Sequence, residues 1–325
     1  MLLILSNKFD TTTDLVIERL NKRRIPFVRW NVEDMLRSHK ITLEICAGKL
    51  RKALLLTEGR SVDLERDISV IWYRRPDKVQ PHRAIRKSSH KEFAVREGSM
   101  ILSNLWALLK NKVWINHPTN NHLLDNKLYQ LGLAEQLGMA TPPTLVTNNP
   151  SEVRRFRKEH GDLAAKPLSA GVIQDKKGEK LIYTRKLKDE DVAHLESIKL
   201  CPTLFQAYIP KKLELRITVV ENSVFACAIE SQRSAKTIED WRRYDFPNVP
   251  HYPFKLPYKL SKQLVSFLKM TGIKFGAFDF ILTPDNQLVF LEINPNGQWY
   301  WIEKLTGLPI TDKLVTLFEY SIEGR

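Results

Sequence analysis

The first third of the chain alternates short apolar runs with a segment of helical spacing. Residues 2–5 and 26–30 are apolar enough to form buried strands, and residues 11–23 between them have the spacing of a helix. A strand, a helix and a strand in this order predict an α/β domain with a parallel sheet. The pattern further predicts a β-hairpin over residues 41–56 and a buried strand over residues 68–73.

The rest of the chain carries more helices and strands, after a break at Asn116-His117-Pro118 that predicts a domain boundary. The helical segments are 123–137, 151–160 and 259–271, and the strands are 145–147, 163–166, 203–209, 213–220, 223–229 and a hairpin over 276–294. At 325 residues the chain is long enough for about two or three domains. The mixed pattern predicts an α/β (α+β) fold.

Three polar side chains interrupt the apolar runs of the hairpin over residues 276–294. Glu292 and Asn294 are two residues apart and point to one face, which Asp279 on the opposite strand can also reach. Two carboxylates and an amide oxygen that converge are unfavourable unless a cation lies between them. Such oxygen ligands suit Mg²⁺, which is usually held by one or two carboxylates and substrate phosphates. On their own, the three residues equally suit a solvated sheet face or a salt bridge with a lysine.

Basic side chains occur at the ends of apolar elements, where they can face a crevice. Lys127 lies near the start of a helix, and Lys166 ends a strand just before the small-residue segment 168–171. If Lys166 is buried at the strand end, its charge is unfavourable without a counter-ion. The small residues of segment 168–171 would let backbone N–H groups contact phosphates. Arg74 and Arg75 follow a buried strand, and the guanidinium group suits carboxylate or phosphate. Each of these residues, taken singly, also suits an exposed and solvated position.

Composition narrows the class of protein. The chain is 43% hydrophobic and 27% charged, which is typical of a globular protein. No apolar run approaches the ~20 residues of a membrane helix, so neither a membrane nor a secreted protein is predicted. The three cysteines, Cys46, Cys201 and Cys227, lack metal-ligand spacing and fit a reducing compartment, which predicts a cytoplasmic protein.

The excess of basic residues is concentrated near the N-terminus. Residues 1–120 carry 23 basic and 13 acidic side chains, out of 51 and 37 in the whole chain. Such a charge favours an anionic partner, which could be nucleic acid, an acidic peptide or a phosphate-rich ligand. The same excess also suits a protein that uses its charge only to stay soluble.

The order of these features resembles the ATP-grasp ligases over residues 116–325. A closer similarity is to the ATP-grasp peptide maturases that make graspetides, the microviridin-type ω-ester and ω-amide peptides. The segments that carry it are Ile-Trp-Tyr-Arg-Arg-Pro at 71–76, Ser-Gln-Arg-Ser at 231–234, Asp-Trp-Arg at 240–242 and Phe-Leu-Glu-Ile-Asn-Pro-Asn-Gly-Gln-Trp at 290–299. The resemblance implies a pre-ATP-grasp domain over 1–115 and ATP-grasp subdomains over 116–200 and 201–325.

The resemblance also implies a site for ATP and Mg²⁺ between two sheets. The implied phosphate contacts are Lys127, Lys166 and Arg242, with Ser169 and Gly171 in the loop that covers the phosphates. The backbone of Gln206, Ala207, Tyr208 and Ile209 would contact adenine, and Glu214 would contact the ribose. The implied ligands of Mg²⁺ are Asp279, Glu292 and Asn294. Ala207 departs from the family, since many ATP-grasp enzymes carry Glu there. Arg216 is the candidate that orients the acceptor carboxylate or stabilises an acylphosphate, and Arg242 is the second candidate catalytic residue.

The resemblance implies an ATP-dependent peptide macrocyclase that joins Asp or Glu side chains to Ser, Thr or Lys side chains. Its partner would be an acidic ribosomal precursor peptide with a leader and a core, and the basic excess suits that partner. A homodimer is what the family implies. One alternative is a ligase that adds a free amino acid to a protein tail or a small acid. Another is a nucleic-acid-binding protein without activity, but aromatic and basic residues are not clearly interleaved as that would require.

Overall fold

A computed structural model describes residues 1–169, 171–175 and 178–324 of the chain. The elements of the first part are β1 Leu2–Ser6, α1 Thr11–Lys22, β2 Phe27–Asn31, α2 Met35–Ser38, β3 Lys40–Cys46, β4 Lys49–Thr57, β5 Arg60–Asp63, β6 Val70–Tyr73, α3 Ser88–Leu108 and β7 Val113–Ile115. They form a parallel sheet of order β2-β1-β6-β7 and an antiparallel sheet of order β3-β4-β5. The predicted strand, helix and strand at the N-terminus therefore build a parallel sheet, as expected.

The middle part is organised around a small antiparallel sheet. Its elements are α4 Pro118–Leu123, α5 Lys127–Gln136, β8 Thr144–Thr147, α6 Pro150–His160, β9 Leu163–Lys166, β10 Val172–Asp175, β11 Gly178–Leu181, β12 Arg185–Lys186, α7 Asp189–Ala193 and β13 Thr203–Ala207. The sheet has the order β12-β9-β13-β8, and β10 pairs with β11 in a separate hairpin. Apolar side chains of α6, β9 and β13 form the core beneath the sheet, among them Phe156, Leu163 and Phe205.

The C-terminal part contains the largest sheet. Its elements are β14 Leu213–Val220, β15 Ser223–Ile229, β16 His251–Pro253, α8 Tyr258–Thr271, β17 Phe275–Leu282, β18 Leu288–Asn294, α9 Tyr300–Thr306 and α10 Ile310–Glu323. The sheet has the order β16-β15-β14-β17-β18, with every neighbouring pair antiparallel. One face packs on α5 and α8 through residues such as Ile217, Phe267 and Phe278.

The N-terminal sheet is buried on both faces. Leu3 and Leu5 belong to a core with α3, whereas Leu2 and Ile4 belong to a core that includes Phe318 of α10. Alternate residues of a strand point to opposite faces, so the apolar run of β1 serves both cores. The N-terminal part thus shares a hydrophobic core with the C-terminal helices.

The structure departs from the predicted elements in several places. The helix predicted over 123–137 begins only at Lys127, because Asn126 has the extended backbone of an N-cap directly before α5. The elements that were not predicted are the strands β5, β10, β11, β12 and β16 and the helices α2, α4, α7, α9 and α10. The strand predicted over 203–209 ends at Ala207, three residues before Pro210. Within the described residues, no helix has both the length and the apolar character needed to cross a membrane.

Candidate active site

Two adjoining cavities lie between the middle sheet and the polar face of the C-terminal sheet. Their volumes are about 70 Å³ and about 480 Å³, and the larger one is within the range of small-molecule sites. Lys166, Thr184, Arg242 and Glu292 line both cavities, so the two spaces form one continuous site.

Most of the predicted site residues line these cavities. The first cavity is lined by Lys166, Gln206, Ala207, Tyr208, Ile209, Glu214, Arg242, Asp279 and Glu292, and the second by Lys127, Lys166, Ser169, Arg242, Glu292 and Asn294. Gly171 and Arg216 line neither cavity. Gly171 has a left-handed backbone (φ +67°) and lies against Pro167 and Ile182, where a side chain would clash. Arg216 lies beside Asp279 and is discussed below.

The polar face of the C-terminal sheet owes its alignment to a β-bulge. Asp279 and Glu292 are direct cross-strand partners on β17 and β18, but the register then shifts so that Phe280 faces Phe290. The extra residue, Leu291, allows Phe290 to point into the core while Glu292 points into the site. Asp279 and Glu292 therefore share a face, as the sequence predicted.

Glu292 is the centre of a cluster of opposite charges. Its Oε2 accepts a hydrogen bond from Lys127 Nζ at 2.9 Å, and its Oε1 accepts one from Arg242 Nη1 at 3.4 Å. Burial opposes ionisation of Glu292, but the positive charges of Lys127, Lys166 and Arg242 lower the pKa of its carboxyl to about 2. The carboxylate therefore stays ionised, and three cations gather where the two cavities meet.

Two side chains that the sequence did not single out hold this cluster in place. Gln130, one turn after Lys127 on α5, donates through Nε2 to Ile293 O at 3.0 Å and accepts from Ile293 N at 2.8 Å. This pair of hydrogen bonds fixes α5 against β18, so that Lys127 meets Glu292. Asp240 accepts from the Arg242 guanidinium through both carboxylate oxygens, at 2.6 and 2.8 Å, and holds that side chain toward Glu292.

Lys166 at the end of β9 faces the same cluster. Burial lowers the pKa of its ammonium to about 8, and the charges of Lys127 and Arg242 act in the same direction while Glu292 opposes them. The sequence-based expectation that a lysine here would be unfavourable without a counter-ion agrees with this direction. A further negative charge at the cavity junction would raise the pKa of Lys166 again.

Asp279 and Arg216 form a buried ion pair next to the cavities. Arg216 Nη1 lies 3.1 and 3.0 Å from the two carboxylate oxygens of Asp279. The Nε of Arg216 is buried and has no hydrogen-bond partner among the described residues. A buried donor without a partner is unfavourable, so this nitrogen is a candidate contact for a ligand.

The far end of the first cavity is lined by Glu214, Lys211 and the segment from Gln206 to Ile209. Glu214 is buried and pairs with Lys211, whose Nζ lies 2.9 Å from Glu214 Oε1. The backbone N–H groups of Ala207 and Tyr208 already donate to Pro143 O and Asp162 O. Within the described part of the chain, the N–H of Ile209 has no such partner, so it is a donor available to a ligand. Lys211 is a further cavity residue that the sequence did not single out.

The oxygen donors of the site suit a magnesium ion that is shared with a ligand. Asp279, Glu292 and Asn294 lie together on β17 and β18, but their oxygens already contact Arg216, Lys127, Arg242 and the backbone. Among the described residues there is no cluster of three or more His, Cys, Asp or Glu side chains that could hold a metal alone. Such a set fits Mg²⁺ that takes its other ligands from phosphates, because Mg²⁺ is seldom held by an all-protein cage.

Two family profiles cover most of the chain. The MvdD pre-ATP grasp domain matches residues 1–122, and the prokaryotic glutathione synthetase ATP-grasp domain matches residues 126–294. No match was found among curated protein sequences. A pre-ATP-grasp domain followed by an ATP-grasp domain is the organisation of an ADP-forming ligase.

Solved structures give a narrower relationship. A Chryseobacterium gregarium RiPP-associated ATP-grasp ligase in complex with ADP, a leader and a core peptide is 30% identical, with a TM-score of 0.87 over 97% of this chain and 95% of that one. The macrocyclase MdnC bound to precursor peptide MdnA, from Microcystis aeruginosa MRC, is 30% identical with a TM-score of 0.85 over 100% of both chains. The macrocyclase MdnB from the same organism is 32% identical, with a TM-score of 0.79 over 97% and 98%. The chain belongs to the RiPP-associated ATP-grasp ligases.

Proposed function

We propose that this protein is an ATP-dependent peptide maturase. It activates Asp or Glu side chains of a ribosomal precursor peptide as acylphosphates and joins them to Ser or Thr hydroxyls or Lys amines. The products are macrocyclic ω-esters or ω-amides. The enzyme would act in the cytoplasm, where both ATP and the newly made precursor are present.

The observation that carries the proposal is the group of three cations around Glu292. Lys127, Lys166 and Arg242 come from different segments, yet all line the junction of the two cavities. Phosphoryl transfer depends on positioning and charge neutralisation more than on covalent chemistry by the protein. Three cations with one carboxylate at a cavity junction supply that neutralisation.

The two cavities suit the two ends of a nucleotide. Adenine would lie against the segment from Gln206 to Ile209, with the free N–H of Ile209 as donor, and Glu214 would accept from the ribose hydroxyls. The triphosphate would then cross the junction toward Lys127 and the loop that carries Ser169. This direction puts the γ-phosphate in the wider second cavity, which is open to a second substrate.

Mg²⁺, when bound, would neutralise phosphate oxygens and align the γ-phosphoryl group for attack. Asp279, Glu292 and Asn294 would hold it. Lys127 and Arg242, which contact Glu292 in the ligand-free site, would turn to the phosphates and leave the carboxylate free for this role.

The precursor carboxylate is proposed to bind at Arg216. Its Nη1 is held by Asp279, while its buried Nε lacks a partner and is the donor that a substrate oxygen would take up once the peptide is bound. One carboxylate oxygen attacks the γ-phosphorus and ADP leaves. The hydroxyl or amine of the peptide then attacks the acyl carbon, and phosphate leaves with that oxygen.

The comparisons support a peptide as the second substrate. The Chryseobacterium ligase was solved with a leader and a core peptide, and MdnC with precursor peptide MdnA. The basic excess of residues 1–120 suits an acidic peptide of the same kind.

The test uses an acidic precursor peptide whose core carries Ser, Thr or Lys residues, with ATP and Mg²⁺. We expect phosphate release that requires the peptide, together with the loss of one water for each ring in the mass spectrum of the product. A gain in mass would instead support addition of a free amino acid, and turnover that ignores the peptide would refute the proposal.

The assignment of Asp279 and Glu292 is tested in the same assay. The double variant Asp279→Ala and Glu292→Ala should lose turnover at every Mg²⁺ concentration. Asp285→Ala, which removes an exposed carboxylate from the turn of the same hairpin, should keep it. Full turnover by the double variant would refute the metal assignment.

A further inference from the structure

Two groups on opposite sides hold the Arg216 side chain, and the carboxylate of Asp279 is one of them. On the other side, Nη2 of Arg216 lies 3.5 Å from Gln298 O. Gln298 belongs to the 295–298 loop, which follows β18 directly after Asn294. The position of the guanidinium therefore depends on the conformation of this loop.

Gly297 gives Arg216 the room it occupies. A Cβ at position 297 would lie 2.5 Å from Arg216 Nη2 and 2.4 Å from the Cβ of Ala277. Ala277 is on β17, an inner strand paired on both sides, and cannot retreat as a flexible side chain would. The loop and the arginine are thus packed so closely that a single added methyl group would displace one of them.

The 295–298 loop is fixed by the N-terminal part of the chain. Arg74, which is 1% exposed, donates through Nη1 to Asn296 O at 2.8 Å and through Nη2 to the side chain of Gln298. Its guanidinium also lies 4.7 Å from the centre of the Trp299 ring. Arg75 donates to the same Asn296 O from the open side, at 3.1 and 3.2 Å.

Arg74 is itself held by the start of α1. Its Nε lies 3.3 Å from Asp10 Oδ2, and the other oxygen of Asp10 accepts from the backbone N–H groups of Thr12 and Thr13 at the helix N-terminus. Thr12 adds a hydrogen bond from its hydroxyl to the side chain of Gln298 at 2.9 Å. An uninterrupted series of contacts therefore runs from α1 through Arg74 and the loop to Arg216.

We infer that Arg74 is a positioning residue for the reaction: it sets the 295–298 loop and, through it, the guanidinium of Arg216. The inference rests on the proposed role of Arg216 toward the precursor carboxylate. It gives the N-terminal part of the chain a task in the chemistry, although none of its residues lines the two cavities. The loop reaches the second cavity through Pro295, whereas Glu214 and the segment from Gln206 to Ile209, which line the first cavity, lie elsewhere in the chain.

A purely structural role for Arg74 makes a different prediction. As an interdomain contact alone, it would resemble Arg23 of the α1 C-terminus, whose guanidinium contacts Thr316 and Glu319 of α10. Arg23→Lys therefore removes a similar interdomain contact far from the loop, and it is the matched control for Arg74→Lys.

The test is a double-mutant cycle with the precursor peptide that the wild-type enzyme turns over. We expect Arg74→Lys to lower kcat/KM for the precursor by about tenfold or more, since small misplacements of a reacting pair reduce rates steeply. In an Arg216→Lys background, the same change should cost less than about twofold, because the group that Arg74 positions is already altered. The affinity for ADP in the absence of Mg²⁺ should be unchanged in Arg74→Lys and Arg23→Lys, because the segments proposed to contact adenine and ribose lie away from the loop.

Gly297→Ala provides a second route to the same result without altering the buried Arg74. It should lower kcat/KM for the precursor, leave the affinity for ADP in the absence of Mg²⁺ unchanged, and lose its effect in the Arg216→Lys background. Arg23→Lys should turn over the precursor at the wild-type rate.

Equal losses from Arg74→Lys in both backgrounds would overturn the inference, as would an equal loss in the Arg23→Lys control. A parallel fall in the affinity for ADP without Mg²⁺ would also overturn it. A wild-type enzyme that binds nucleotide but shows no precursor-dependent turnover would overturn the proposed function, and this inference with it.

Discussion

At the scale of single residues, the site is defined by how its charges are balanced. Four cations, Lys127, Lys166, Arg216 and Arg242, lie around two carboxylates, Asp279 and Glu292. The carboxylates face each other across β17 and β18 and are each paired with at least one cation. The surplus of positive charge favours binding of polyphosphate. The protonation of Lys166 responds most to a bound phosphate, because burial lowers its pKa to about 8.

The pKa of Lys166 predicts that nucleotide binding depends on pH. Phosphate favours the protonated lysine, so affinity for a non-hydrolysable ATP analogue should weaken as the pH rises above about 8, by up to about tenfold per pH unit. Isothermal titration calorimetry between pH 7 and 9.5 would measure this, and proton uptake on binding should appear near pH 8.

Lys166→Arg is the matched control, because a guanidinium stays protonated throughout this range. Its affinity should vary little with pH. An equally steep pH dependence in wild type and Lys166→Arg would assign the titration to another group.

At the scale of elements, the site depends on contacts between segments that are distant in sequence. α5 reaches β18 through Gln130, whose amide bonds both backbone groups of Ile293. The bulge in β18 then turns Glu292 into the site. Neither the Gln130 contact nor the bulge has a clear sequence signature, because a glutamine inside a helix is common and a bulge needs only one extra residue.

Gln130→Leu tests the contact between α5 and β18. It leaves the buried N–H and C=O of Ile293 without partners, at about 1–3 kcal/mol for an unsatisfied group, so Tm should fall by about 2–4 °C per kcal/mol. Nucleotide affinity should fall as well, because Lys127 is displaced. Gln136→Leu, at an exposed position of the same helix, should change neither quantity. Equal effects of the two substitutions would show that Gln130 does not position α5.

The sequence predicted the elements that carry the chemistry better than it predicted how those elements are joined. Strands β14, β15, β17 and β18 follow apolar runs with clear turns, and the polar interruptions marked Asp279, Glu292 and Asn294 in advance. The later start of the helix predicted over 123–137 and the two C-terminal helices depend on tertiary packing against β18 and β1, which local spacing does not record. Asp240, Gln130 and Lys211 were missed because each acts through a neighbour that only the fold supplies.

At the scale of the whole molecule, the N-terminal part is built into the enzyme. Its sheet shares a core with α10, where Trp72 lies 5.3 Å from Phe318 and 6.3 Å from Trp299 between ring centres. The same part reaches the 295–298 loop through Arg74 and Arg75. The sequence showed two arginines at the end of a strand. It is the folded structure that shows one of them to be buried and directed at the C-terminal loop.

The central claim is that a precursor carboxylate attacks the γ-phosphate, and oxygen transfer tests it most directly. The precursor is made with heavy oxygen in its Asp and Glu side chains and is incubated with the enzyme, unlabelled ATP and Mg²⁺. Mass spectrometry of the released phosphate should find one heavy oxygen for each bond formed. Released phosphate without heavy oxygen, alongside ring formation, would contradict activation of the carboxylate as an acylphosphate.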